Sequence, residues 1–193
     1  SDDTTSSSTS TSKDSTRTLA VIESDAKSVE KSVAALQETG DKSLFNEVTK
    51  TDENGNKTTG YDTDAIYKAV KNFTDSYNSL IDEVGNSNTK SILRAGASMV
   101  NVTEANRKSL SDIGISIGAD NKLTIDEEKF KKTDMSKVKA MFADSSYYGT
   151  EVKRQAGRAE SYAKSEAAKA NTYQKSGSYT YNYRTGELYN STI

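Results

Sequence analysis

The chain has 193 residues, of which 33% are hydrophobic and 28% charged, with 26 basic side chains against 28 acidic ones and a formal net charge of −2. This length and apolar share fit one slender helical domain with tails better than a thick globular core. The charges are interspersed, which excludes the electrostatic footprint of a nucleic-acid or anionic-membrane binder. The absence of cysteine excludes disulfides and thiolate chemistry, and the absence of histidine removes the commonest general base and a common metal ligand.

In chain order, residues 1–17 are nearly all Ser, Thr, Asp and Lys. They read as a flexible tether, with a modified stalk as the alternative, because such a segment cannot bury enough apolar surface to offset the entropy of ordering. The first residues lack a signal-peptide pattern and no apolar run is long enough to span a bilayer, so the chain as given reads as soluble. The helical domain is expected over 18–173. Its first helix places Leu19, Ile22, Ala26, Val29, Val33 and Leu36 on an a/d seam, with Gly40 as its stop. Leu44 to Lys50 reads as a strand and Lys57 to Tyr61 as its return. Between them Asp52, Asn54 and Asn56 imitate a calcium loop. Lys57 stands where that loop needs glycine and Thr63 where it needs glutamate, so turn chemistry is the better reading.

Asp62 or Thr63 caps a second helix whose stripe Ile66, Ala69, Val70, Phe73, Tyr77, Leu80, Ile81 and Val84 runs to Gly85. This helix is expected to lie antiparallel to the first. A third helix is expected over 90–109, with Ile92, Ala95, Met99 and Val102 inward. In the stretch 112–126, Ile113, Ile115 and Ile117 alternate with Gly114 and Ser116, and Leu123 and Ile125 flank Thr124. With the turn residues 118–121 between them, these make a β-hairpin that must rest on something larger. Asp126 then caps a helix opened by Glu127 and Glu128, and Thr133 and Asp134 open another that carries Val138, Met141 and Phe142. The last helix, from Tyr147 to Tyr173, presents Val152, Ala156, Ala159, Ala163, Ala167 and Ala170, a small-residue face for close approach within the chain or to a second copy. Residues 174–193 form an extended tail in which Tyr179, Tyr181 and Tyr183 share one face, either covering their own domain or contacting a partner or glycan. The fold class that follows is mainly α: an elongated antiparallel helical bundle or coiled coil with one or two small β-hairpins.

Leu110-Ser-Asp-Ile-Gly-Ile, then Asp120-Asn-Lys-Leu-Thr-Ile-Asp-Glu-Glu-Lys-Phe and Val138-Lys-Ala-Met-Phe, resembles the C-terminal region of the bacterial flagellar filament-capping proteins. Ala65 to Leu80 looks like the helix before the hairpin in that family, so the likeness covers roughly 65–170. The resemblance implies an exported, non-enzymatic structural subunit of the extracellular flagellum that caps the filament, assists flagellin incorporation, self-associates and contacts host surfaces. It also implies structural roles for Ile113, Gly114, Ile115, Leu123, Ile125 and Asp126 in the hairpin, and for Phe73, Tyr77, Asn78 and Leu80 in the helix beneath it. The chain departs from the family in its Ser/Thr-rich start, its tyrosine-rich tail and the short loop where outer domains usually stand.

The alternative is a secreted or surface-anchored binding module on the same scaffold. An enzyme is not expected: the acidic pairs Asp62 with Asp64 and Glu127 with Glu128 sit at helix starts, where capping accounts for them. No catalytic residue, metal ligand or cofactor is expected. Gly114 and Gly118 do not make a phosphate loop, because no Gly-Lys-Ser/Thr run accompanies them.

Overall fold

A computed structural model describes residues 11–176 as seven α-helices and two separate two-stranded antiparallel sheets. Helix α1 (Thr16–Leu36) opens on Ser15, whose hydroxyl accepts from Thr18 N at 3.0 Å. Thr16 and Arg17, set within the tether by the sequence reading, are thus its first turn. The seam Leu19, Ile22, Ala26, Val29, Val33 and Leu36 is fully buried. The helix stops sooner than Gly40: the Gln37 N–H closes onto the carbonyls of Val33 and Ala34. Gly40 instead takes φ +69° and opens the 3-10 turn Gly40–Lys42.

Strands β1 (Glu47–Thr51) and β2 (Lys57–Tyr61) pair from Glu47↔Tyr61 to Thr51↔Lys57. Leu44 and Phe45, expected to begin the first strand, precede it, because Phe45 turns into the core and is only 5% exposed. Asp52 shapes the turn, its Oδ1 accepting from Asn54 N at 2.9 Å and from Asn56 N at 2.8 Å, with Gly55 at φ +82°.

Helix α2 (Thr63–Val84) is capped by Asp62, which accepts from Ala65 N, and ends on Gly85. The expected third helix is two: α3 (Lys90–Ala105) and α4 (Arg107–Asp112). At the break, the Asn106 side chain donates to Val102 O at 2.8 Å, a local bond that competes with a continuous helical ladder. Strands β3 (Ile115–Ile117) and β4 (Leu123–Ile125) follow, then α5 (Glu127–Lys132), α6 (Met135–Phe142) and α7 (Tyr147–Ser176). Asp126 caps α5 through Lys129 N, and Asp134 rather than Thr133 caps α6 through Ser136 N.

Helix α1 lies along both α2 and α7, and α7 also lies along α3. Asp14, just before α1, bonds the loop after α2, and Gln37, just after α1, bonds Thr150 at the start of α7, so α1 runs antiparallel to both neighbours. At 30 residues, α7 is about 45 Å long. Its buried face is Val152, Ala156, Ala159, Ala163 and Ala167, and methyl-sized side chains let two helices approach it closely. The bundle is mainly α with minor β, as the periodicity implied.

Candidate functional site

The feature that the rest of the chain supports is the β3–β4 hairpin seated on α2. Ile115 faces Ile125 and Ile117 faces Leu123, so all four side chains share one face. Ile115 and Leu123 are buried, and Ile117 and Ile125 pack partly buried against the core. Ile113 is not in the strand. It closes α4, is 1% exposed, and joins the core from the turn before β3.

Gly114 follows at φ +89°. A Cβ there would stand 3.0 Å from Phe130 N and 3.1 Å from Asp126 O, while its own carbonyl accepts from Asp126 N at 2.8 Å. The chain entering the hairpin therefore lies directly on the backbone that starts α5, a closeness only glycine permits. The β3–β4 turn is set by Asn121 at φ +66° and by the Asp120 carboxylate, which accepts from Lys122 N at 3.0 Å.

Two residues one turn apart on α2 hold the hairpin down. The Asn78 amide donates to Leu123 O at 2.8 Å, and Leu123 N donates back to Asn78 Oδ1 at 2.7 Å. Asp82 pairs with Lys122 at 2.7 Å, a contact that raises the lysine above its ordinary pKa. Further along α2, Tyr67 meets the Phe130 ring of α5 edge-on at 5.7 Å, and Lys131 sits 5.1 Å over the Tyr67 ring while pairing with Asp64 and Glu127.

Phe73, Tyr77 and Leu80 are fully buried. Phe73 packs 5.1 Å from Phe142 and 6.2 Å from Tyr148, both edge-on. Tyr77 OH donates to Thr103 Oγ1 at 2.8 Å, and Thr103 Oγ1 lies 3.0 Å from Tyr148 OH. Burial pushes Tyr77 up to about 12 and moves Tyr148 upward as well, so both phenols stay neutral at any physiological pH. They act as a hydrogen-bonded core, not as acids.

Sequence reasoning named the hairpin residues and the four α2 residues, and the structure brings Asn78 into direct contact with the hairpin. It missed Thr103 and Tyr148, whose partners lie 26 and 45 residues away. It also missed Asp14. That side chain is 7% exposed and accepts from Ser87 Oγ at 2.6 Å, Asn88 N at 2.6 Å and Thr89 Oγ1 at 2.7 Å, joining the chain before α1 to the α2–α3 loop. No local pattern marks it, because its partners are more than seventy residues on. Tyr179, Tyr181 and Tyr183 lie outside the described residues.

Among the described residues no group of acidic side chains is arranged to hold a metal ion, and no helix is long and apolar enough to cross a membrane. A surface depression of about 410 Å³ is lined by Asp126, Glu128, Lys129, Lys132 and Thr133, side chains of α5 and its two caps. Packed helices carrying a small apolar hairpin, with the polar side chains named above engaged in capping and stapling, make a helical-bundle scaffold. Residues 86–192, more than half of the chain, match the family described as flagellar hook-associated protein 2 C-terminus, and the chain belongs to that family. It is accordingly a flagellum-associated, cap-like structural protein. The match runs through the tyrosine-rich tail, which the sequence reading had set apart as a departure from the family. No curated protein and no solved structure matches the chain.

Proposed function

We propose that the chain serves at the flagellar filament tip as a non-enzymatic assembly subunit, contacting copies of itself and flagellin-like subunits outside the cell. The observation that carries this reading is that the hairpin, which lies wholly within the family-matched segment, is fastened to α2 by Asn78 at Leu123. A ribbon held on a rigid helix can present a fixed surface to neighbouring subunits. The rods associate in coiled-coil fashion.

The test is electron microscopy of flagellin filaments grown with the purified chain, alongside light scattering of the chain alone. A tip-located density and a defined oligomer support the proposal. A monomer at high concentration that never decorates filament ends overturns it. In that case the reading of a secreted binding or adhesion module takes its place, with Tyr179, Tyr181 and Tyr183 as contacts to a host surface or glycan.

A further inference from the structure

Helix α7 carries a second stripe, on the side turned away from its buried alanines. Tyr147, Glu151, Arg154, Arg158 and Tyr162 succeed one another at steps of three or four residues and so share one face of the helix. Tyr147 is 68% exposed and Tyr162 37%, the two aromatic members of the large hydrophobic side chains left exposed among the described residues. Tyrosine and arginine are the residue types that anchor protein interfaces. The charges of this face are only partly answered within the chain. Glu151 accepts from Arg154 at 2.7 Å and from Gln155 at 3.0 Å. These bonds, with the charges of Arg154 and Arg158 behind them, hold its carboxyl below the usual range. Arg158 is exposed and forms no ion pair of its own among the described residues. One carboxylate thus serves two guanidiniums, and the Arg158 head is left to solvent.

The stripe is complementary to its own reverse. When two such helices lie antiparallel with the dyad midway between Tyr147 and Tyr162, Tyr147 of one copy falls opposite Tyr162 of the other, and Glu151 falls opposite Arg158. Arg154 of each copy lies beside the dyad, already held by its own Glu151. A parallel pairing would instead set Arg158 against Arg158 and Glu151 against Glu151, like charges that repel. We propose that this face is a two-fold contact between copies of the chain, α7 packing antiparallel on α7, with Tyr147 against Tyr162 and Glu151 against Arg158. The proposal rests on the reading of the chain as a subunit that contacts copies of itself, and it names the surface. A contact of this kind uses one patch twice and closes at two copies. From Tyr147 to Tyr162 the row is about 23 Å long. That makes a small interface, so the pair is weak and forms at high protein concentration.

Sedimentation velocity of the full chain, from micromolar to near-millimolar concentration, tests this. The wild type should move toward a dimer as concentration rises. Glu151→Arg alone and Arg158→Glu alone should each weaken association by about tenfold or more, because every charge pair across the dyad becomes like-signed. An equimolar mixture of the two variants should restore it, since the arginines of one then face the carboxylates of the other. Tyr147→Ser combined with Tyr162→Ser changes two exposed side chains and no charge, and should weaken association as well. A wild type that stays monomeric, single charge variants that associate like the wild type, or a mixture no better than either variant alone overturns the contact. Charge variants that lose nothing while the wild type still associates and decorates filament ends remove this face and leave the tip reading standing. A wild-type dimer restored in the mixture but absent from filament ends upholds the contact and removes the tip reading.

Discussion

Asn78 of α2 and Leu123 of β4 exchange two hydrogen bonds, the side-chain amide of one meeting both backbone groups of the other at 2.7 and 2.8 Å. Leu123 would otherwise present an unpaired N–H and C=O on the edge of a two-stranded ribbon that is marginal by itself. Asparagine is suited to this because its side chain carries one donor and one acceptor at the spacing of a peptide group. Replacing Asn78 with alanine should cost about 1–3 kcal/mol and should speed hydrogen exchange at the Leu123 amide. Asn78→Asp should cost at least as much, since a carboxylate cannot donate to Leu123 O. Unchanged exchange at Leu123 in the alanine variant would show that the ribbon is held by its apolar face alone.

Gly114 and Gly118 flank the same strand, yet their surroundings differ. A Cβ at Gly114 meets backbone atoms of α5 at a φ of +89°, whereas one at Gly118 meets the tip of the Asp120 side chain at 2.7 Å, a group able to swing away. Gly114→Ala should therefore cost about 1–3 kcal/mol in a urea titration, while Gly118→Ala costs clearly less. Equal losses would contradict the idea that the entry to the hairpin is set by backbone contact.

Asp14 gives a pH-dependent test of the joint between the start of α1 and the α2–α3 loop. Burial pushes its carboxyl up, but hydrogen bonds from Ser87, Asn88 and Thr89 outweigh this and hold it below 3.8. Its contribution is present above 3.8 and disappears as pH falls through the lower folded value. Asp14→Asn should cost about 1–2 kcal/mol at neutral pH, because one charged acceptor serving three donors is replaced by a neutral one. The deficit should shrink in acid. A constant deficit across the titration would show that the cost is steric.

Much of this architecture is legible in local pattern. The six seam residues from Leu19 to Leu36 and the α2 stripe from Ile66 to Val84 need only a 3.6-residue period, and Asp62 and Asp126 announce their helices by position. Opposed pairing in the hairpin follows from alternation and a turn between the runs. What local pattern cannot carry is the pairing of single polar groups across the bundle. Asp14 sits in a stretch whose composition reads as a tether, and only Ser87 and its neighbours in three dimensions make it structural. Asn106 ends α3 through one side-chain bond in a window that otherwise continues as helix. Glu30 looks like any solvated helix charge until Gly157 of α7 is placed opposite it.

The Tyr77, Thr103 and Tyr148 chain shows the same point as an energetic asymmetry. Thr103 is the middle member: its hydroxyl oxygen meets Tyr77 OH at 2.8 Å and Tyr148 OH at 3.0 Å, and the residue is 1% exposed. Thr103→Val keeps the shape but leaves two buried phenols without their partner, and should cost about 2–4 kcal/mol. Tyr77→Phe removes an outer hydroxyl and leaves the bond between Thr103 and Tyr148 intact, so about 1–2 kcal/mol is expected. The double variant Tyr77→Phe with Thr103→Val leaves only Tyr148 unpartnered, so its cost should fall below the sum of the singles. Strict additivity in denaturant titrations would mean that the three hydroxyls act independently.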